Sequence, residues 1–163
     1  MRFTVRDYRR DDFDTVWAID QSCFDPEIAY SQDELQFYLR RSGVFTLVAE
    51  SNEQLTNTSV PAILAFVVAE SSRRGMGHII TIDVRSQARR NHIGSALLDA
   101  AEERLRAAKC HAVRLETAVD NSSALSFYKR HGYDVIKVIP HYYSNGVDAL
   151  LLEKNLLSVE SSS

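Results

Sequence analysis

The 163-residue chain reads as an α/β (α+β) protein: a mixed central sheet of about six to seven strands flanked by about four helices, in the order β-α-α-β-β-β-α-β-α-β-β. Three observations predict this class. Short runs that alternate or are continuously apolar, as strands are, recur seven times along the chain. Between them stand stretches of helical periodicity with capping signals at their starts. No internal repeat and no linker-like composition divides the chain, and its length can bury a core. The expectation is a single domain over residues 1–157, with the tail "SVESSS", residues 158–163, disordered.

The elements follow in order. "FTVRDY" alternates and reads as a first strand. Asp11 or Asp12 is placed to cap a helix carrying Phe13, Val16, Trp17 and Ile19. Ser31 with Glu34 forms a capping box for a second helix with Leu35, Tyr38 and Leu39. Three strands follow, "VFTLVAE", "AILAFVVAE" and "HIITIDV", separated by the polar loop "SNEQLTNTS" and by "SSRRGMG". A third helix is expected from Gly94 to about Ala108, with an apolar stripe of Ile93, Leu97, Ala101, Leu105 and Ala108. "AVRLETAV" is a strand, and residues 122–131 form a short helix stopped by Gly132 in the left-handed conformation. "DVIKVIPHYY" and "ALLLEKNLL" close the fold as strands joined through an Asn145-Gly146 turn.

Composition narrows the function. The net charge of −3 provides no general attraction to nucleic acid or anionic membrane. No apolar run reaches the roughly 20 residues of a membrane span, and "MRFTVRDYRRDD" lacks a signal peptide's apolar core. Cys23 and Cys110 are too few for a disulfide framework, so a cytoplasmic protein is expected. The five histidines do not pair at ligand spacing, and no metal is expected.

The stretch "RRNHIGSALL", residues 89–98, is a basic loop opening a helix. Such a helix start presents unpaired N–H groups and the positive end of the dipole, which suits an anion. Arg89 and Arg90 add charge, and Gly94 permits close backbone approach. The pattern Arg-x-x-His-x-Gly resembles the acyl-CoA-binding motif of the GNAT N-acetyltransferases. Arg89 matches its first position and Gly94 its last, while His92 replaces a middle glycine. That substitution costs easy access to positive φ.

"RLETAVDNSSALSFYKRHGY" resembles the second GNAT signature, with Asn121, Ala124, Phe127, Tyr128 and Gly132 in register and Tyr133 where Phe is commoner. "VIPHYYSNGVDALLLEKNL" looks like the Nα-acetyltransferase branch that includes the ribosomal-protein-alanine enzymes. The resemblance implies a GNAT fold and acetyl transfer from acetyl-CoA to a primary amine, with CoA as product. It places the cofactor along Ile82, Asp83 and Val84, along Arg89, Arg90, Asn91, His92, Ile93, Gly94 and Ser95, and at Asn121 and Tyr128. In it the N–H of Val84 would hold the acetyl carbonyl oxygen, and Ile82 would pair with the pantetheine arm.

The same resemblance gives Glu116 the role of general base, through water, and Tyr128 that of general acid. Strand alternation puts Arg114 and Glu116 opposite Val113 and Leu115. A phenol is protonated at pH 7 and suits a departing thiolate. Phe127 is then the core aromatic of the pair. Asn121 also suits a plain N-cap. Phe24, Tyr30, Tyr142 and Tyr143 are the acceptor-side residues by resemblance. The acceptor is the α-amine of a protein terminus, of ribosomal-protein-alanine type, or alternatively a small amine such as a polyamine, an amino acid or an antibiotic. A non-catalytic acyl-CoA-binding module is the third reading. The protein is expected as a monomer or homodimer, acting on no nucleic acid directly and binding no membrane.

Overall fold

A computed structural model describes residues 2–24, 26–53 and 62–157. It contains seven strands and four α-helices among those residues: β1 (Phe3–Asp7), α1 (Phe13–Cys23), α2 (Gln32–Arg40), β2 (Val44–Ser51), β3 (Ile63–Ser71), β4 (Met76–Val84), α3 (Ile93–Ala107), β5 (Ala112–Ala118), α4 (Ser122–Arg130), β6 (Asp134–Ile139) and β7 (Ala149–Asn155). The order is the one expected. The strands form a mixed sheet in the order β1-β2-β3-β4-β5-β7-β6. Most of the polar loop expected between β2 and β3, and the tail at 158–163, lie outside the described residues.

The chain makes two compact units. One comprises Met1–Ala69 and Thr81–Ala101, the other Glu70–Ile80 and Glu102–Ser163. In the first, β1 pairs antiparallel with β2, Phe3 opposite Ser51 through Asp7 opposite Leu47. β3 is buried along its apolar run Ile63–Ala69, which explains why its sequence does not alternate. Ser31 and Glu34 close the expected capping box on α2. Asp12 precedes α1 but its side chain does not cap it. A 3-10 turn, Arg10–Asp12, intervenes, and the Asp12 carboxylate accepts from Arg6 Nη1 (2.9 Å), Arg6 Nη2 (3.0 Å) and the Arg9 N–H (2.7 Å). A charge-assisted fork outcompetes a helix cap here.

In the second unit β4 pairs in parallel with β5, Met76 to His78 against Ala112 to Arg114. β5 runs antiparallel to β7, and β7 to β6, with a bulge between Val135 and Lys137. β6 ends at Ile139, so Tyr142 and Tyr143 stand in the connection and not in the strand as expected. Pro140, which has no N–H to give a ladder, follows directly. At Gly77 a Cβ would stand 2.7 Å from Leu105 Cδ1, so only glycine admits α3 this close to the strand.

Helix α3 begins at Ile93, one residue before the expected start, and buries Ile93, Leu97, Leu98, Ala101 and Leu105. Ala108, expected in that stripe, is exposed beyond the helix end. Glu102 of the same helix is also buried, accepting from Tyr133 Oη (2.7 Å) and Lys154 Nζ (2.8 Å). Burial and the Glu102 charge push the Tyr133 phenol well up, so it stays a donor. Gly132 ends the α4 segment with φ +91°, as expected.

Candidate active site

The basic loop of the first unit is built from the end of β4 onward. Arg85 is pinned through its N–H to Leu64 O (2.9 Å) and its Nε to Ile63 O (2.7 Å). A 3-10 turn, Ser86–Ala88, follows. Arg89 folds back, giving Nε to Val84 O (3.2 Å) and Nη2 to Cys23 Sγ (3.8 Å). Its guanidinium therefore braces the strand end as well as adding charge. Asn91 Nδ2 donates to Ala88 O and Arg89 O, each at 3.1 Å, which stabilises the loop from within.

Arg90 and His92 both take left-handed backbone, φ +67° and +61°. His92, in place of the motif's middle glycine, thus takes positive φ even though a side chain makes that conformation less accessible. The first N–H to close an α-helical bond is that of Ala96, to His92 O (3.1 Å). The turn of Ile93, Gly94 and Ser95 before it is where a helix presents its N-terminal donors. Left-handed residues leading into a helix start form a concave set of N–H groups, fit for a diphosphate.

Strand β4 alternates strictly in burial, with Gly77, Ile79, Thr81 and Asp83 inward and His78, Ile80, Ile82 and Val84 half-exposed. Ile82 and Val84 are thus on the partly exposed side of the strand. Asp83 does not: its side chain is 1% exposed and points into the core. Its carboxyl accepts from Thr81 Oγ1 (2.7 Å) and faces Asp20 of α1. Burial, then the neighbouring Asp20, raises Asp83 well above the ordinary carboxylate range, and burial likewise raises Asp20. Cys23 donates to Val84 O (3.5 Å), and burial pushes its thiol up. Phe24 and Tyr30 bracket the α1–α2 connection, both half-buried. The Tyr30 ring meets Tyr38 edge-on at 5.3 Å.

In the second unit, Glu116 projects from β5, with its side chain 17% exposed, and its Oε1 lies 2.8 Å from His78 Nε2. His78 was not among the expected site residues. Period-2 counting back from Val84 along β4 puts it on the strand's open face, but no local signal pairs it with Glu116. Tyr143 stands near Glu116 and Asp120. Its phenol is pushed up by burial first, then by Tyr142 and those two carboxylates, so it remains a neutral donor. Tyr142 packs on Tyr143 edge-on at 4.9 Å.

Asn121 caps α4, its Oδ1 accepting from the Ala124 N–H (3.1 Å). Tyr128 is the deeper ring of its pair, 8% exposed, while Phe127 is half-buried, the reverse of the expectation for a core Phe127. Tyr128 sits edge-on to Phe127 (5.2 Å) and Tyr133 (5.7 Å), which fixes where its hydroxyl can reach.

With this geometry in view, residues 7–133 match the acetyltransferase (GNAT) family, and the chain belongs to it. Members of that family are acetyl-CoA-dependent N-acetyltransferases. Among particular proteins, the chain is similar to an N-alpha-acetyltransferase of Sulfurisphaera tokodaii, 42% identical over 77 residues, which is 47% of this chain and 46% of that protein. The chain thus matches about half the length of that relative. It is 27% identical over 158 residues to the N-alpha-acetyltransferase of Saccharolobus solfataricus, covering 94% of this chain and 93% of that one. The crystal structure of Ard1 from Thermoplasma volcanium superposes with a TM-score of 0.82 at 26% identity, over 97% of this chain and all of that one.

Proposed function

We propose that the protein transfers the acetyl group of acetyl-CoA to the α-amine of a protein N-terminus. The observation that carries this reading is the Glu116–His78 pair, a half-buried carboxylate hydrogen-bonded to an imidazole on the neighbouring strand of a GNAT sheet. The relatives named N-alpha-acetyltransferase support the choice of acceptor. So does acidity: at pH 7 an α-amine is roughly one part in ten neutral, a lysine only about one in a few thousand. A single carboxylate–imidazole pair is enough help for the first.

In this reading the loop from Arg89 to Ser95 holds the CoA diphosphate on backbone N–H groups, and Asn121 adds a contact. Bound acetyl-CoA supplies an activated thioester carbonyl. Glu116 accepts the proton of the attacking amine through water, and His78, bonded to Glu116, passes it towards solvent. The N–H of Val84 steadies the charge that grows on the carbonyl oxygen, while Ile82 pairs with the pantetheine arm. Tyr128 gives its phenolic proton to the departing thiolate sulfur. Phe24, Tyr30, Tyr142 and Tyr143 contact the acceptor peptide.

The test is a panel of peptides with free termini, including ribosomal-protein sequences beginning with alanine, run beside polyamines, amino acids and aminoglycosides, with CoA release measured. Turnover on peptide termini that disappears when the α-amine is blocked supports the proposal. Turnover only on small amines overturns it in favour of the small-amine reading. Acetyl-CoA binding without turnover on any amine supports a binding module.

A further inference from the structure

Asp20 and Asp83 are 0% and 1% exposed, and both are hydrogen-bonded on one oxygen only. Asp20 Oδ2 accepts from the Tyr30 N–H (3.0 Å), and Asp83 Oδ1 from Thr81 Oγ1 (2.7 Å). Asp20 Oδ1 and Asp83 Oδ2 receive no donor from the protein. Yet the two carboxyls lie close enough for each to act on the other's ionisation. Two acceptors cannot bond without a proton between them, and two adjacent carboxylates in a buried site repel strongly. The charges facing the pair do not remove the difficulty. Glu34 of α2 works against ionising Asp20, Cys23 lies beside Asp83, and the Arg89 cation is also engaged with Val84 O and Cys23 Sγ.

What the pair holds is specific. The backbone of Tyr30 is gripped on both sides by α1: its N–H by Asp20, its C=O by Trp17 Nε1 (3.2 Å) and Gln21 Nε2 (2.6 Å). Asp83 immediately precedes Val84 on β4. A proton shared between the two carboxyls would therefore tie α1, and through it Tyr30, to the end of that strand.

We propose that Asp20 and Asp83 share one proton as a buried acid–carboxylate pair, and that the pair positions Tyr30 for the acceptor by locking α1 to β4. Asp20 is a positioning residue: it touches no substrate and acts through the Tyr30 backbone. The role for the acceptor rests on the acetyltransferase reading above. The shared proton does not.

Infrared difference spectroscopy at pH 7 tests the proton without any substrate. The wild-type protein shows the C=O band of a protonated carboxylic acid, and Asp20→Asn, which supplies an amide donor in its place, loses it. Absence of that band in the wild type overturns the proposal. Hydrogen exchange tests the positioning. In Asp20→Ala the Tyr30 amide exchanges about tenfold faster, the loss of one buried hydrogen bond, and Asp20→Asn restores protection. An unchanged Tyr30 amide in Asp20→Ala overturns it. Finally, Asp20→Ala raises peptide KM about tenfold with kcat little changed, and Asp20→Asn rescues it. A fall in kcat alone overturns the positioning role. If no peptide is a substrate, the acceptor reading fails while the infrared and exchange results still stand or fall separately.

Discussion

His78 Nε2 lies 2.8 Å from Glu116 Oε1, joining side chains 38 residues apart on neighbouring strands. A carboxylate held this way is oriented and has an outlet for a proton. We expect Glu116→Gln to lower kcat/KM by about 10²-fold or more, with the loss greatest at low pH, where the acceptor amine carries its proton. His78→Ala should lower it less, and the double variant should be no worse than Glu116→Gln alone, because both act as one unit. Steady-state kinetics from pH 6 to 9 would check this; additive losses would separate the two residues.

Tyr128 is packed between Phe127 and Tyr133, so Tyr128→Phe keeps the ring and removes only the hydroxyl. The expected outcome is a fall in kcat of about 10²-fold, with the acetyl-CoA dissociation constant little changed by calorimetry. Full turnover in this variant would remove the acid role from Tyr128.

His92 already holds a left-handed backbone at φ +61°. His92→Gly therefore leaves the loop's N–H groups where they are, and acetyl-CoA affinity should change by less than about threefold, under 1 kcal/mol. A tenfold weakening would instead assign the imidazole a direct phosphate contact. His92→Val, branched at Cβ, should lose about 1–2 kcal/mol of stability in denaturant melts, because a branched residue tolerates positive φ least.

Burial opposes ionisation of Asp12, but the hydrogen bonds from Arg6 and from the Arg9 N–H outweigh it and hold the carboxyl below its ordinary value. A depressed pKa contributes stability that is present above about pH 4 and lost as pH falls through the folded value. Asp12→Ala should cost about 2–3 kcal/mol at pH 7 and flatten the acid limb of the stability–pH curve, both read from urea midpoints. An unchanged acid limb would mean the fork contributes little.

The motif helix shows how far local pattern reaches. Asn121, Ala124 and Gly132 announce a cap, a helix and a left-handed stop, and each does so because it acts within a turn of itself. The same holds for Ser31 with Glu34 and for the start of α3 after the basic loop. Where partners were remote, local pattern gave the wrong answer. Asp12 looked like a cap until Arg6 claimed its carboxylate. Ala108 fitted the stripe but lies past the helix end, and buried Glu102 is matched to Tyr133 and Lys154 instead.

Element order, helix boundaries to within a residue or two and the loop-to-helix junction at Arg89–Ser95 were determined by the sequence alone, since periodicity, capping and turn chemistry depend on neighbours along the chain. The tertiary structure decided that His78 meets Glu116, that Asp83 turns inward to Asp20, and that Tyr128 lies deeper than Phe127. Each of these is a question of which side chains are desolvated together, and desolvation is set by strands and helices far apart in sequence. Asp20 illustrates this: it lies one turn after Val16 on the buried side of α1, and only the packing of α1 against β4 brings it to Asp83.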